Sequence, residues 1–216
     1  DPRIVGHNPT DIVFVRNYLK KDLGWCAFCG SYYGVDLSVK NIFELKLADR
    51  YFIQANRFEN HWIEDQTIAV PFTVRNQGGT ASWSQVKNVD FSFNKILKVG
   101  NGMNISATDD VQRAQPTNHM LVRHNVFAGV SYYNGQNLLF HLGSGQNPAF
   151  GTPVGFDRVG IIRNSTDLNA GEGQGRFANF DQSINNTNLW IQGNTGQGFI
   201  SANAGTGTTA LQACCG

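Results

Sequence analysis

At 216 residues the chain is long enough to bury one sizeable core without a second domain. Its 17 Lys+Arg balance 16 Asp+Glu, which leaves no basic footprint for a nucleic-acid backbone, and no apolar run is long enough for a membrane-spanning helix. The 24 Gly and 15 Phe against only 15% charged residues favour many short strands and tight turns over long surface helices.

In chain order, six phrases align on one asparagine: IVFVRNYL on Asn17, YFIQANRF on Asn56, VDFSFNKI on Asn94, MLVRHNVF on Asn125, VGIIRNST on Asn164 and LWIQGNTG on Asn194. The residues five and three before each asparagine are apolar in every phrase, a period of two that marks a strand with one buried face. The inward pattern continues two residues after the asparagine through Leu19, Phe58, Ile96 and Phe127, and fades at Thr166 and Gly196. Successive asparagines are 39, 38, 31, 39 and 30 residues apart, close to a repeat with elastic loops.

Between the phrases lies a further strand-like piece per unit: NIFELKLA, IAVPFTVR, GMNISA, NLLFHLG, GRFANF and GFISANA. At least two short strands and a bend per unit predict an all-β chain, a parallel β-helix of about six coils. Stacked at one corner, the six asparagine amides can bond up and down as a ladder, which makes them scaffold rather than site.

The outward positions of the first strand include Val13, Val15, Phe52, Leu121, Ile162 and Trp190. Residues of that kind facing water need a cover: the chain's own loops, which is the favoured reading, a neighbouring protomer, or a sugar stacked on Phe52 and Trp190. Trp25, Trp62 and Trp83 fall between strands, as loop anchors or stacking platforms. The simplest reading places each histidine on the surface or in a loop. His61 in ENHWIEDQ has Glu59, Glu64 and Asp65 near it, while His119 and His124 flank MLVR without the spacing of a zinc site. Sequon triplets occur at Asn104, Asn164 and Asn185. A glycan on Asn164, a ladder residue, would contradict the fold.

The run KNIFELKLADRYFIQANRFENHW, with TDIVFVRNYLKKDLGW and GFISANAGTGTTALQ, resembles secreted bacterial right-handed parallel β-helix proteins of the pectate-lyase-like superfamily over nearly the whole chain. In that family the matching region follows further N-terminal coils, so the resemblance implies a single solenoid domain starting mid-helix at Asp1, with an uncapped first coil. The enzymes of the superfamily use clustered Asp residues, often with Ca²⁺, and an Arg or Lys base. Here the counterparts are the Asp109–Asp110 pair, then Asp49, Arg50 and Asp181 after other second strands, with Lys46 and His141 within such strands. A second Asp motif and a Gly-His-Gly-like turn are absent.

The cysteines come as CAFC, Cys26 and Cys29, and as Cys214 and Cys215. For a secreted family the resemblance implies disulfides, either Cys26–Cys29 locally or a bond from Cys214 or Cys215 of one chain to Cys26 or Cys29 of the next that would lock a head-to-tail filament. Two expectations follow: an extracellular or cell-surface scaffold that self-associates, or a carbohydrate-active protein, a polysaccharide lyase or a glycan-binding module.

Overall fold

The computed structural model describes residues 4–34, 37, 39–130, 138–143, 155–168, 175–180, 187–197 and 199–204. Each phrase splits at its asparagine into two strands, and from the second coil on a third strand follows. Numbered in chain order, the first coil holds β1 (Thr10–Val15) and β2 (Tyr18–Lys20). The second holds β3 (Ala48–Gln54), β4 (Arg57–His61) and β5 (Val70–Phe72). The third holds β6 (Val86–Ser92), β7 (Lys95–Val99) and β8 (Met103–Ser106), and the fourth β9 (Asn118–Arg123), β10 (Val126–Val130) and β11 (Leu138–Gly143). The fifth holds β12 (Asp157–Ile162), β13 (Ser165–Leu168) and β14 (Gly175–Phe180), and the sixth β15 (Thr187–Gln192), β16 (Thr195–Gln197) and β17 (Phe199–Ala204).

Like strands stack in parallel into three sheets, β1-β3-β6-β9-β12-β15 (sheet A), β2-β4-β7-β10-β13-β16 (sheet B) and β5-β8-β11-β14-β17 (sheet C). This is a parallel β-helix of six coils. The piece NIFELKLA, expected as a strand of the first coil, contributes a single bridge from Leu45 to Phe72 before its last residue, Ala48, opens β3.

The extra strand per coil comes from a bend that the apolar period does not reveal. The residue before each ladder asparagine is left-handed: Arg16, Ala55, Phe93, His124, Arg163 and Gly193, with φ between 53° and 62°. Five of these are not glycine and each is strained by about 1–2 kcal/mol. The ladder offsets that strain. Asn56 Oδ1 accepts from the backbone N–H and the amide of Asn17 at 2.9 and 3.0 Å, and the Asn56 amide donates to Phe14 O and to Asn94 Oδ1. The pattern repeats through Asn125 and Asn164 to Asn194, all buried.

A second left-handed column stands six residues before each asparagine, at Asp11, Arg50, Asn88, His119, Arg158 and Asn188. Asp, Asn and His tolerate this conformation better than most residues, and the column marks where the chain turns into sheet A.

The core is a stack of like residues. Ile53, Phe91, Val122 and Ile161 of sheet A face Phe58, Ile96 and Phe127 of sheet B and Phe72, Ile105 and Leu142 of sheet C, all buried. Phe58 and Phe91 lie 6.0 Å apart, Phe72 and Phe91 5.4 Å, and Phe127 and Phe140 5.4 Å between centroids. Contacts of this kind tie the sheets together by the apolar area they remove from water.

Candidate functional site

The connections from sheet C into sheet A build one cavity of about 320 Å³, lined by Lys46, Arg75, Asn76, Gln77, Gly78, Asp109, Val111 and Gln112. Arg75 and Asn76 leave β5, Asp109 and Asp110 leave β8 one coil on, and Lys46 follows the Leu45 bridge. Of the sequence-predicted residues, Asp109 and Lys46 line it, and Asp110 reaches it only through its pair with Arg75.

Asp109 is 2% exposed and Asp110 57%. Asp109 Oδ1 accepts from Val111 N at 2.8 Å, Gln112 N at 3.2 Å and Arg75 Nη1 at 3.1 Å, and Oδ2 accepts from Asn76 N at 2.6 Å. Burial works to raise its pKa, but the hydrogen bonds from Asn76, Val111 and Gln112 and the Arg75 charge outweigh it, so the carboxyl titrates below its ordinary value. Arg75 also pairs with Asp110, and Lys46 lies 3.6 Å from Glu44.

The Ca²⁺ implied by the family resemblance does not fit these residues. Both Asp109 oxygens are occupied by N–H donors, Asp110 is taken by Arg75, and no cluster of three His, Cys, Asp or Glu occurs among the described residues. Asp109 instead braces two successive turns, helped by Asn76, which donates to Arg113 O and accepts from Ala81 N.

Asp49 and Arg50 do not line the cavity. They sit at the entry to β3, in the left-handed column. Arg50 pairs in a fork with Asp11 at 2.7 and 2.8 Å, and Asp49 accepts from Asn88 at 2.7 Å and faces Lys87 at 3.7 Å. The column continues with Arg158 to His119 at 2.8 Å. Polar side chains stacked in this way hold the coil entries together. His141 lies in β11, in register with Asn104 and Asn179. Asp181, Asn185, Cys214 and Cys215 lie outside the described residues.

The outer face of sheet A carries Val13, Phe52, Asp90, Leu121, Gly160 and Trp190 in one row. The expectation that the chain's own loops cover this face is corrected: Val13 stays 66%, Phe52 49%, Leu121 37% and Trp190 46% exposed. Asp90 divides the row, bound by Arg123 at 2.7 Å and Gln54 at 3.1 Å. A Cβ on Gly160 would stand 2.9 Å from Leu121 and 3.0 Å from Ile162, so these two side chains close over that position.

Cys26 and Cys29 are bonded to each other. Cys26, Val39 and Trp62 form a small buried cluster apart from the main core, so Trp62 is a loop anchor. Trp25 is exposed and Trp83 half-buried.

His61 corrects the surface reading of the histidines. It is fully buried, with neither ring nitrogen bonded, and burial next to the Lys21 charge pushes its pKa down to about 3. The signal was present in the repeat: five residues after the ladder asparagine, Val99 and Val130 are core residues and His61 takes the same place. His124 stacks on Phe93 at 5.1 Å.

No family model, curated protein or solved structure matches the chain. Among the described residues no helix is long and apolar enough to cross a membrane.

Proposed function

We propose that the chain is an extracellular β-helix scaffold that self-associates end to end. The observation that carries this reading is the face of the first coil. Ladder asparagines 56 to 194 are at most 2% exposed, whereas Asn17 is exposed and no described residue donates to its Oδ1. Beside it, β1 and β2 are edge strands of their sheets, and Ile12, the counterpart of Tyr51 and Val89, is 42% exposed. Strand edges with unpaired backbone groups and an apolar end residue recruit another strand. An N–H from a further coil, of a second copy or of the same chain, would complete the ladder at Asn17. The Cys26–Cys29 disulfide agrees with an oxidising compartment. Since these two cysteines bond each other, they are not free to lock a filament covalently.

Sedimentation velocity over a concentration range tests the reading. The chain should form larger species as concentration rises, and Ile12→Lys should abolish them. A single monomeric boundary throughout contradicts the proposal.

A second reading, a glycan-binding face on sheet A, is favoured by the exposed Phe52 next to the Asp90–Arg123 pair and by the exposed Trp190 three strands along the same row. Rings of this kind stack on sugars while polar groups fix their orientation. Retardation on acidic polysaccharide gels that Trp190→Ala removes would support it. The polysaccharide-lyase alternative is weaker, because both Asp109 oxygens already accept N–H donors and Arg75 holds Asp110.

A further inference from the structure

The asparagine ladder has a direction. From Asn17 to Asn164, each asparagine backbone N–H donates to the Oδ1 of the asparagine one coil later, at 2.9 to 3.0 Å. The series therefore leaves an acceptor over at one end and a donor at the other. Among the described residues nothing donates to Asn17 Oδ1 and nothing accepts from Asn194 N, although Asn194 Oδ1 is filled by Asn164 and the Asn194 amide donates to Ile161 O. An end that offers an acceptor does not satisfy a second copy of itself, whereas it fits the opposite end of another chain.

The strands around these two groups agree. β15, β16 and β17 are the edge strands of their sheets at the sixth coil, and TNLWIQ, TGQ and FISANA contain no charge and no proline, the residues with which edge strands ordinarily resist pairing. Leu189 and Ile191 of β15 pack on the core yet are only partly buried, as Phe14 is at the other end. Continued by one coil, the register of sheet A sets Ile12 on Leu189, Val13 on Trp190 and Phe14 on Ile191, apolar on apolar throughout. That of sheet B sets Leu19 on Gly196. Asn8 and Pro9, just before β1, do not cover the first coil: Pro9 O accepts from Asp49 N and the Asn8 amide donates to Trp83 O, both in later coils.

We infer that the sixth coil of one copy is the partner surface for the first coil of the next, so that Asn194 N donates to Asn17 Oδ1 across the joint and sheets A and B run on in parallel from chain to chain. The inference rests on end-to-end assembly and fixes its polarity. The contact is heterologous, and because every added copy presents a fresh sixth coil the series stays open.

Val13 and Trp190 are both exposed and fall opposite each other in that register, so cysteines there report it without touching the core. In full-length chains carrying Cys214→Ser and Cys215→Ser, Val13→Cys mixed with Trp190→Cys should be joined by a short bis-maleimide into a dimer linked from 13 to 190, identified by mass spectrometry of the linked peptides. Each variant alone should stay unlinked. Adding Ile12→Lys to the Val13→Cys chain should remove the product, while adding it to the Trp190→Cys chain should leave the product intact. Val13→Cys linking to itself as efficiently means that the ends meet head to head and overturns the inference. Larger species in sedimentation without the 13-to-190 link overturn the polarity and leave end-to-end assembly standing, whereas a monomer at every concentration overturns both.

Discussion

Asn125→Ala removes one rung from the middle of the ladder. The side chain is 1% exposed, its Oδ1 accepts from Asn94 N at 2.9 Å and from the Asn94 amide at 3.1 Å, and its own amide donates to Phe91 O at 2.9 Å and Asn164 Oδ1 at 3.0 Å. After truncation the Asn94 amide keeps Ile53 O, and Asn164 Oδ1 keeps Asn125 N. The Asn94 backbone N–H and the side-chain bond to Phe91 O are the losses. At about 1–3 kcal/mol for each buried group left unpaired, the variant should be destabilised by about 4 kcal/mol. Asn17→Ala, at the exposed end, should cost less than about 1 kcal/mol. Urea unfolding followed by both circular dichroism and tryptophan fluorescence measures the difference, the two probes being needed because stacked repeats can unfold in stages. Equal costs at the two positions would refute the ladder as a buried, cooperative brace.

The turn at Asp109 gives a second contrast. Asp109→Ala leaves three backbone N–H groups, of Asn76, Val111 and Gln112, without their acceptor and should cost about 3 kcal/mol, while Asp110→Ala should cost under about 1 kcal/mol. Equal urea midpoints for the two variants would remove Asp109 as a brace. His61 should make stability fall with acid. Its folded pKa of about 3 lies below the ordinary 6.5, so the unfolded chain takes up the proton first. Stability is then full above about pH 6.5 and declines toward pH 3, by up to about 4 to 5 kcal/mol. His61→Val should flatten that slope, and an unchanged slope contradicts the assignment. Finally, reduction of Cys26–Cys29 should lower stability by about 2 kcal/mol, the entropy of closing so short a loop, read as a shift in the urea midpoint.

The ladder asparagines, the inward residues and the parallel stacking were legible because burial enforces a period of two beside one invariant polar corner. The third strand per coil was not, because the bend rests on the left-handed residue before each asparagine. That place is filled by Arg, Ala, Phe, His, Arg and Gly, which share no side-chain signal. The cavity was half legible. An Asp pair and a lysine in successive turns pointed to Asp109, Asp110 and Lys46, of which Asp109 and Lys46 line the cavity, yet the sequence does not tell that backbone N–H groups occupy both Asp109 oxygens. Asp49 and Arg50 were grouped with them as residues after second strands, but a few residues of turn place them in the column at the entry to sheet A. His61 was misread as a surface residue because its neighbours Glu59, Glu64 and Asp65 are acidic. Its alignment with Val99 and Val130 was the better guide, since position in the coil, rather than local polarity, decides burial.

Electron microscopy of the purified chain at rising concentration, beside Ile12→Lys, tests end-to-end assembly most directly. One chain of six coils at about 4.8 Å per coil is roughly 29 Å long. The account predicts rods or fibres longer than that along the solenoid axis, lost in Ile12→Lys. Isolated particles of single-chain length at every concentration would contradict it.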